Sequence, residues 1–563
     1  MKKQLIECVP NFSEGRNIHI IKQITDQIEK VKEVKLLNVD PGKATNRTVV
    51  TFVGDPESVI EAAFRAIKKA SEIIDMRCHH GEHPRMGATD VCPLVPVSNI
   101  SMDEVIEFAH RLGYRVGEEL GIPGYYYEYA AKSPERKNLA YCRTGEYEGL
   151  KKRLIDPEWI PDFGPARFNA GTGATAIGAR DFLVAYNINL NTTSTRRANA
   201  IAFDIREKGR IKREGDPLTG RIIRDKNGDP VYEPGTLKNV KGIGWYIEEY
   251  GIAQLSFNLT NISETPIHVA FEEAVKKAEL RGVRVTGSEL VGLVPLQAML
   301  EAGRYFLTRQ QRSLGIPEEE VIAIAIKSLG LEELSPFNPR ERIIEYMLEE
   351  PEKDCLVDMN LTRFANASSS ESVTPGGGSV AAYLGALGIS LGTMVANISS
   401  HKRGWDDRWE EFSKQAEQGE KLKVKLLKLV DADTKAFREI IEARRLPKTS
   451  EADKNARKKA IREATKKAVE VPFNVMKVAM DSMEVIRYVA EHGMKSSLSD
   501  ACVGAIAANA AIRGAYLNIL INCKDLEDEK FKTRILTESE RIKNEAVKNE
   551  NEILSAFDKN LKE

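Results

Sequence analysis

Three of the eight histidines in the chain fall within one short segment. Residues 78–87 read Cys-His-His-Gly-Glu-His-Pro-Arg-Met-Gly, and Asp90 follows closely. The proline and the two glycines predict a loop, where side chains can converge on a ligand. A histidine that titrates near neutral pH beside Glu82 and Arg85 can accept a proton and return it. The segment therefore predicts acid–base catalysis.

The same residues allow two other interpretations. His79, His80 and His83, together with Glu82, are metal-ligand types. Their spacing is not His-Glu-x-x-His on a helix, however, and it fixes no coordination geometry. Surface histidines without a role are the third interpretation. The acid–base interpretation is favoured over these two.

A second candidate is the glycine-rich stretch from Asp162 to Gly178, which matches neither a P-loop nor GxGxxG. Its backbone, with Arg167 and the rings of Phe163 and Phe168, suits a planar heterocycle with an acidic tail. A plain interdomain loop explains the stretch equally well.

In the last third of the chain, Asp433 falls on the apolar side of a predicted helix. At about 100° per residue it lies inside an apolar stripe, while Asp431 points to the opposite, lysine-rich side. Five residues form the stripe: Leu422, Leu426, Leu429, Phe437 and Ile440. A carboxylate on an apolar face is costly unless it is paired or its pKa rises, which predicts an acid–base role for Asp433. A structural aspartate bonded to a neighbouring helix is the alternative.

Upstream, three glycines directly precede an uncharged predicted helix. Free N–H groups at such a helix start can hold a carboxylate or a phosphate. By itself the pattern is weak, because proline and glycine also simply begin helices. The candidate pocket residues are Pro375, Gly376, Gly377, Gly378 and Ser379.

The elements that must position these residues follow two patterns. β-rich runs and amphipathic runs alternate as strand, helix, strand, strand, helix from residue 5, and the order recurs from residue 182, which predicts two related α/β halves. A polar stretch at 213–233 is predicted to be a surface insertion without an assigned role. Beyond residue 355 helical periodicity dominates, which predicts a separate all-α bundle. Segment 380–398, which carries no charge, and segment 501–523, which carries only Arg513, are assigned to bundle helices because small residues dominate them.

Composition restricts the function classes. With 563 residues the chain predicts several domains, and 82 basic against 83 acidic residues provide no field that attracts nucleic acid. The first residues lack the apolar core of a signal peptide, so we expect a cytoplasmic protein. The seven cysteines form no CxxC pair and are expected to be reduced. Small molecules and copies of the chain itself are the expected partners, with no membrane.

With these residues in hand, the chain resembles the formimidoyltransferase-cyclodeaminase family over essentially its whole length. The similar strings in the transferase part are Glu7 to Gly15, Thr45 to Thr48, Gly81 to Gly87 and Val240 to Trp245. Those in the cyclodeaminase part are Pro375 to Ala381, Val430 to Asp433 and Gly514 to Asn518. They are long, uncommon strings in the family's order.

The resemblance implies two ferredoxin-like halves for the transferase, an all-α cyclodeaminase and assembly into a ring of dimers. The expected domains are 1–180 and 181–330 for the two halves, 331–352 for a linker and 353–563 for the helical part. The resemblance also implies a catalytic histidine at His83 and a catalytic aspartate at Asp433. It implies folate contacts from ten residues: Gly164, Pro165, Ala166, Arg167, Phe168, Asn169, Ala170, Gly171, Thr172 and Gly173.

The implied activity belongs to histidine degradation and one-carbon metabolism. A formimino group passes from N-formiminoglutamate to N5 of tetrahydrofolate, which is expected in polyglutamylated form. The product then closes to 5,10-methenyltetrahydrofolate with release of ammonia. Tetrahydrofolate is substrate and carrier, and no metal or nucleotide is expected.

Three competing functions remain. The helical part could be a methenyltetrahydrofolate cyclohydrolase fused to the transferase. A metal-dependent hydrolase would use His79, His80 and His83. A non-enzymatic helical scaffold is disfavoured, because it explains neither the histidine loop nor an aspartate on an apolar face.

Overall fold

The computed structural model describes residues 4–43, 45–81, 84–215, 220–348 and 355–560. By contacts, the described residues of 1–299 and 329–349 form one compact unit, and those of 300–328 and 350–563 form another. The predicted domain limits remain a prediction, but the contacts group residues 300–328 with the C-terminal helices and not with the second α/β half.

The first α/β half is a mixed sheet with three long helices packed on one face and two short ones on the other. Its strands are β1 (Leu5–Cys8), β2 (Asn11–Phe12), β3 (Val34–Gly42), β4 (Arg47–Gly54), β5 (Thr89–Ser98), β6 (Gly124–Glu128) and β7 (Thr175–Ala179). Its helices are α1 (Ile18–Glu29), α2 (Pro56–Ile73), α3 (Met102–Leu120), α4 (Leu139–Cys142) and α5 (Glu146–Arg153). Both β1 and β2 lie between β4 and β5 as one interrupted strand, β3 borders β4, and β7 and β6 extend the sheet in parallel beyond β5.

The second half repeats the strand and helix order. A four-stranded antiparallel sheet has the order β11-β12-β8-β13. Its elements are β8 (Val184–Leu190), α6 (Thr195–Ile205), β11 (Val240–Ile247), β12 (Ile252–Leu259), α7 (Ile267–Glu279) and β13 (Val285–Val291). β9 (Arg210–Ile211), just before the predicted insertion at 213–233, pairs with β10 (Tyr232–Glu233) at its end. In both halves the fourth strand of the repeat lies beside the first, which is the ferredoxin-like arrangement.

Short helices follow, and then long ones. The short ones are α8 (Leu296–Arg309), α9 (Glu318–Leu329), α10 (Pro339–Arg342), α11 (Ile344–Leu348) and α12 (Leu361–Ser368). The bundle consists of α13 (Gly377–Ser400), α14 (Trp409–Arg445), α15 (Glu451–His492), α16 (Leu498–Asn522) and α17 (Glu529–Asn560). The predicted class, α/β followed by all-α, is confirmed.

Two bundle helices are long and apolar enough to cross a membrane. Within the structure, 61% of the apolar window of α13 and 44% of the window that ends with α16 are buried. Gly388 and Gly504 allow these two helices to touch, since a Cβ on Gly388 would lie 2.7 Å from the Gly504 carbonyl oxygen. This close packing of small residues supports their assignment to the bundle.

Candidate active sites

The histidine loop follows α2 and returns to the sheet at β5. His79 is buried, and its Nε2 lies 2.8 Å from the Asn46 carbonyl oxygen, while Arg85 Nε donates to its Nδ1 at 3.3 Å. A carbonyl requires a donor and an arginine requires an acceptor, so the two contacts assign a neutral ring with its proton on Nε2. The pKa of His79 is lowered, mainly because the ring is buried. His79 thus holds the loop in place, whereas His80 is exposed.

The functional assignment of the loop rests on two residues that lie outside the described ones, Glu82 and His83. The role of His83 therefore stays a prediction. Among the described residues, no cluster of three or more His, Cys, Asp and Glu side chains could hold a metal ion.

Ion pairs fix the chain that follows the histidines. The buried Arg85 guanidinium binds Glu148 at 2.7 Å and Glu146 at 3.2 Å. Asp90 is fully buried; it accepts the Met86 N–H at 3.0 Å and binds Arg143 Nη2 at 2.5 Å. Charge-assisted bonds of this kind restrict the backbone strongly. Residues 85–90 are consequently held in place.

The glycine-rich loop lies directly against the histidine loop. Met76 N–H donates to Gly171 O at 2.8 Å, and Ala174 N–H donates to Met86 O at 3.1 Å. Gly173 has φ +70°, and a Cβ there would lie 2.1 Å from Met86 O, so only glycine fits this approach. The structure thus brings two separately predicted candidate segments together.

The residues of the glycine-rich loop differ in solvent exposure. Gly171 and Thr172 donate their N–H groups to Asn169 Oδ1, which fixes the turn. Pro165, Ala166 and Arg167 are exposed, while Gly164, Phe168, Asn169, Ala170 and Gly171 are half-buried and Thr172 and Gly173 are buried. Phe168 packs against Tyr147 at a ring distance of 5.6 Å.

One ring assigned to this site from the sequence belongs to the core instead. Phe163 is 7% exposed and packs on Tyr126 with ring centroids 5.0 Å apart. It cannot reach a ligand without unpacking the first half, so the prediction of two available rings was wrong. Sequence spacing does not reveal which of two nearby phenylalanines faces inward.

A cavity of about 630 Å³ opens between the two α/β halves. Four cations line it, and so do the acidic side chains of Glu128, Asp181 and Glu207. The four cations are Arg47, Arg143, Arg180 and Lys241. The lining provides both signs of charge for a ligand that carries both. Arg143, Arg180 and Lys241 were missed by sequence reasoning, because isolated basic residues carry no local signal.

The second candidate site joins the start of α13 to the middle of α14. The Asp433 carboxylate accepts a hydrogen bond from Ser379 Oγ at 3.1 Å, and Ser379 Oγ also lies 3.2 Å from Thr434 Oγ1. A Cβ on Gly378 would lie 2.1 Å from Asp433 Oδ1, so the glycine makes room for the carboxylate. The structure thus unites the predicted glycine-rich helix start with the predicted aspartate.

Opposing effects set the protonation of Asp433. Burial, the larger effect, raises its pKa, and hydrogen bonds from the side chain and backbone of Ser379 lower it. The net direction is upward, towards a carboxyl that can hold a proton. A structural aspartate would make the same contacts, so only activity separates the two roles.

The predicted helical wheel is correct for Asp433 but wrong for two of its neighbours. Asp431 is half-buried and accepts the Leu356 N–H at 2.7 Å and the Cys355 thiol at 3.4 Å. The chain that enters the bundle covers this side of α14, which a wheel cannot show. Phe437 is 39% exposed, so the apolar stripe does not extend to it.

Comparison with known proteins assigns the chain to a family. Family models match residues 5–180 (formiminotransferase domain, N-terminal subdomain), 185–349 (formiminotransferase domain) and 360–541 (formiminotransferase-cyclodeaminase). The chain is 44% identical over 557 residues to formimidoyltransferase-cyclodeaminase from Gallus gallus, covering 99% of each. This chain belongs to the formimidoyltransferase-cyclodeaminase family. The resemblance stated above is confirmed.

Two relatives with shorter chains match parts of this family member. Glutamate formimidoyltransferase from Thermoplasma acidophilum is 43% identical over 305 residues, which are 54% of the chain and 92% of that protein. Methenyltetrahydrofolate cyclohydrolase from Methylorubrum extorquens is 34% identical over 183 residues, which are 32% of the chain and 88% of that protein.

Proposed function

We propose that this chain is a bifunctional folate enzyme. It transfers the formimino group of N-formiminoglutamate to N5 of tetrahydrofolate and then closes the product to 5,10-methenyltetrahydrofolate with release of ammonia. The observation that carries the proposal is the full-length match to bifunctional relatives. The two sites built in separate parts of the chain, one on the paired loops of the first half and one at Asp433, support it.

In the transfer step, N5 attacks the formimino carbon and loses a proton, while the departing glutamate nitrogen gains one. One group that accepts and then returns the proton suffices. We assign this role to His83, on the strength of its motif. The described residues that follow it are ordered by ion pairs of Arg85 and Asp90. The loop from Gly164 to Gly173 is the proposed folate contact.

In the closure step, N10 attacks the same carbon and ammonia leaves, which requires a proton donor. We assign this role to Asp433, because burial raises its pKa and Ser379 orients its carboxylate. The residues from Pro375 to Ser379 form the proposed pocket floor. Neither step requires a metal or a nucleotide, so we propose none.

A cyclohydrolase activity of the helical part is the second candidate function. The relative from Methylorubrum extorquens favours it, since this methenyltetrahydrofolate cyclohydrolase is 34% identical to the chain over 183 residues. A cyclohydrolase opens the methenyl bridge with water, whereas a cyclodeaminase releases ammonia while forming it. Ammonia release therefore distinguishes the two.

We also propose a cytoplasmic homo-oligomer, arranged as a ring of dimers, that acts on polyglutamylated folate. Support for assembly comes from apolar side chains that α13 and α16 leave uncovered. The exposed ones include Leu387, Met394, Val503, Ile506, Leu517 and Ile521. Apolar groups of this size on one bundle are typical of an interface between copies.

The test of the proposed function is a coupled assay. Purified chain is mixed with tetrahydrofolate and N-formiminoglutamate, and absorbance of methenyltetrahydrofolate is followed together with glutamate release. We expect both products, with neither forming when folate is omitted. Glutamate release without folate would contradict the transfer and indicate hydrolysis.

A further inference from the structure

Phe437, on α14, exposes an aromatic ring close to the proposed acid. It follows Asp433 by one helical turn, so the two side chains share a face of α14. Side chains in a helix lean towards its N-terminus, which directs the Phe437 ring towards Asp433. The ring is 39% exposed and is not part of the described hydrophobic core of the bundle. It is therefore available to a ligand that reaches Asp433.

Asn518, on α16, ends one of the strings that resemble the cyclodeaminase family, and it is half-buried. Its Nδ2 donates to the Gly514 carbonyl oxygen at 2.9 Å, one turn earlier in the same helix. That bond orients the carboxamide and uses one of its two N–H groups. Among the described residues, none donates a hydrogen bond to its Oδ1. The carboxamide thus keeps one acceptor and one donor for a ligand.

Asn518 and Asp433 border the same turn at the start of α13. A Cβ built on Gly377 would lie 3.5 Å from Asn518 Nδ2 and 3.9 Å from its Oδ1, and one built on Gly378 would collide with the Asp433 carboxylate. Gly377 and Gly378 are consecutive, so their Cα atoms are only about 3.8 Å apart. One turn of α13 therefore has a carboxylate from α14 and a carboxamide from α16 beside it.

The packing of α14 on α13 also places Phe437. Leu426 lies against Gly385, and Asp433 lies against Gly378, so the two helices run antiparallel. One turn beyond Asp433, α14 has passed the first residue of α13. The Phe437 ring consequently borders the space in front of the start of α13, next to Asp433.

These three groups match the pteridine of a reduced folate. Its pyrimidine ring is planar, and one edge of that ring carries a donor at N3–H and an acceptor at the 4-oxo oxygen. An aromatic side chain stacks on a planar heterocycle, and a carboxamide pairs with such an edge through its own acceptor and donor. N5, which carries the formimino group, is the neighbour of the 4-oxo group on the pteridine. A ligand whose edge meets Asn518 therefore brings N5 to the side of Asp433.

We propose that Phe437 and Asn518 bind the pteridine of the substrate in the cyclodeaminase site. The Phe437 ring covers one face of the pteridine, and the Asn518 carboxamide pairs with its N3–H and 4-oxo edge. The formimino group on N5 is thereby held at Asp433. This inference rests on the cyclodeaminase activity proposed above and adds the residues that bind its substrate.

The test is the steady-state kinetics of cyclisation by the full chain with supplied 5-formiminotetrahydrofolate, which bypasses the transfer step. Phe437→Ala removes the ring, Phe437→Tyr keeps it, and Asn518→Ala removes the carboxamide. Two matched controls truncate exposed residues of the bundle. Val424→Ala changes a 40% exposed position of α14, and Asn544→Ala changes an exposed position of α17.

We expect Phe437→Ala to raise KM about 10- to 100-fold, as for a lost stacking contact with a base. Asn518→Ala should raise KM about tenfold, as for lost hydrogen bonds to a ring edge. In both variants kcat should change less than about threefold, because ground state and transition state share these contacts. Phe437→Tyr and the two controls should match the wild type, and light scattering should give the same mass for all.

The contact of Asn518 also predicts a discrimination that a purely structural residue would not affect. A 4-amino analogue of tetrahydrofolate reverses the edge, with an acceptor at N3 and a donor at C4. As an inhibitor of wild-type cyclisation it should bind about tenfold more weakly than tetrahydrofolate itself. In Asn518→Ala the two inhibition constants should become equal within about threefold, whereas Phe437→Ala should keep their ratio.

An unchanged KM in Phe437→Ala or in Asn518→Ala would overturn the role of that residue. An inhibitor ratio that stays the same in Asn518→Ala would overturn the pairing with the pteridine edge. A raised KM together with a smaller mass would place Phe437 in an interface between copies and not against folate. A wild type that forms neither ammonia nor methenyltetrahydrofolate would refute the proposed cyclodeaminase function itself.

Discussion

The buried Glu7 carboxylate should cost the protein stability, and by an amount that depends on pH. Its folded pKa is raised to about 7 from an ordinary value of 4.5. Between these two values the unfolded chain releases the proton while the folded chain keeps it, so stability falls as pH rises. The difference of about 2.5 pKa units corresponds to about 3 kcal/mol, lost in full above pH 7.

Glu7→Gln removes this titration. The free energy of unfolding of the variant, taken relative to the wild type, should rise by about 1 kcal/mol between acidic solution and pH 5. By pH 8 the rise should be about 3 kcal/mol. Any constant difference between the buried amide and the buried acid is the same at each pH and cancels. The groups that titrate elsewhere are present in both proteins and cancel as well.

The measurement is differential scanning calorimetry of the full chain at pH 5 and pH 8. Glu118→Gln is the matched control, because Glu118 is exposed on α3. The variant should raise the midpoint temperature of the unit that contains Glu7 above that of the wild type. This increase should be roughly 5 °C larger at pH 8 than at pH 5. A difference between variant and wild type that does not change with pH would show that Glu7 titrates normally. Glu7 would then have a partner or contact with water in the folded protein.

Three further predictions concern the two sites and the assembly. His83→Ala should abolish formimino transfer while cyclisation of supplied 5-formiminotetrahydrofolate continues; loss of both in a folded protein would contradict separate sites. Gly378→Ala should reduce cyclisation at least about tenfold, because the new Cβ collides with the Asp433 carboxylate. Gly149→Ala, on α5 and with nothing within 4 Å of its new Cβ, is the control, and equal activity of the two variants would show that the carboxylate moves freely. Leu517→Glu, at a position 62% exposed, should lower the mass measured by light scattering, whereas an unchanged mass would exclude this face from the interface.

The regular elements were predictable from the sequence because their signals are local. Residues that favour strands cluster in β1 and β4, and apolar residues recur with helical spacing in the bundle. The repeated order of strands and helices then identified the two α/β halves. The glycines of α13 likewise indicated close helix contact, which Gly388 makes with Gly504.

The side-chain contacts were not predictable, because they join distant parts of the chain. Ser379 meets Asp433 across 54 positions, and Asp90 meets Arg143 across 53. The surface position expected for Asp431 failed for the same reason, since its partner is the N–H of Leu356.

Ammonia release tests the central claim most directly, because it separates a cyclodeaminase from a cyclohydrolase and assigns the step to one residue. Chemically prepared 5-formiminotetrahydrofolate is incubated with the wild type and with Asp433→Asn, and ammonia and methenyltetrahydrofolate are measured together. We predict equal amounts of both products from the wild type. We predict neither from Asp433→Asn, which should still transfer the formimino group from N-formiminoglutamate. Wild-type protein that forms no ammonia, or Asp433→Asn that forms as much as the wild type, would contradict the account.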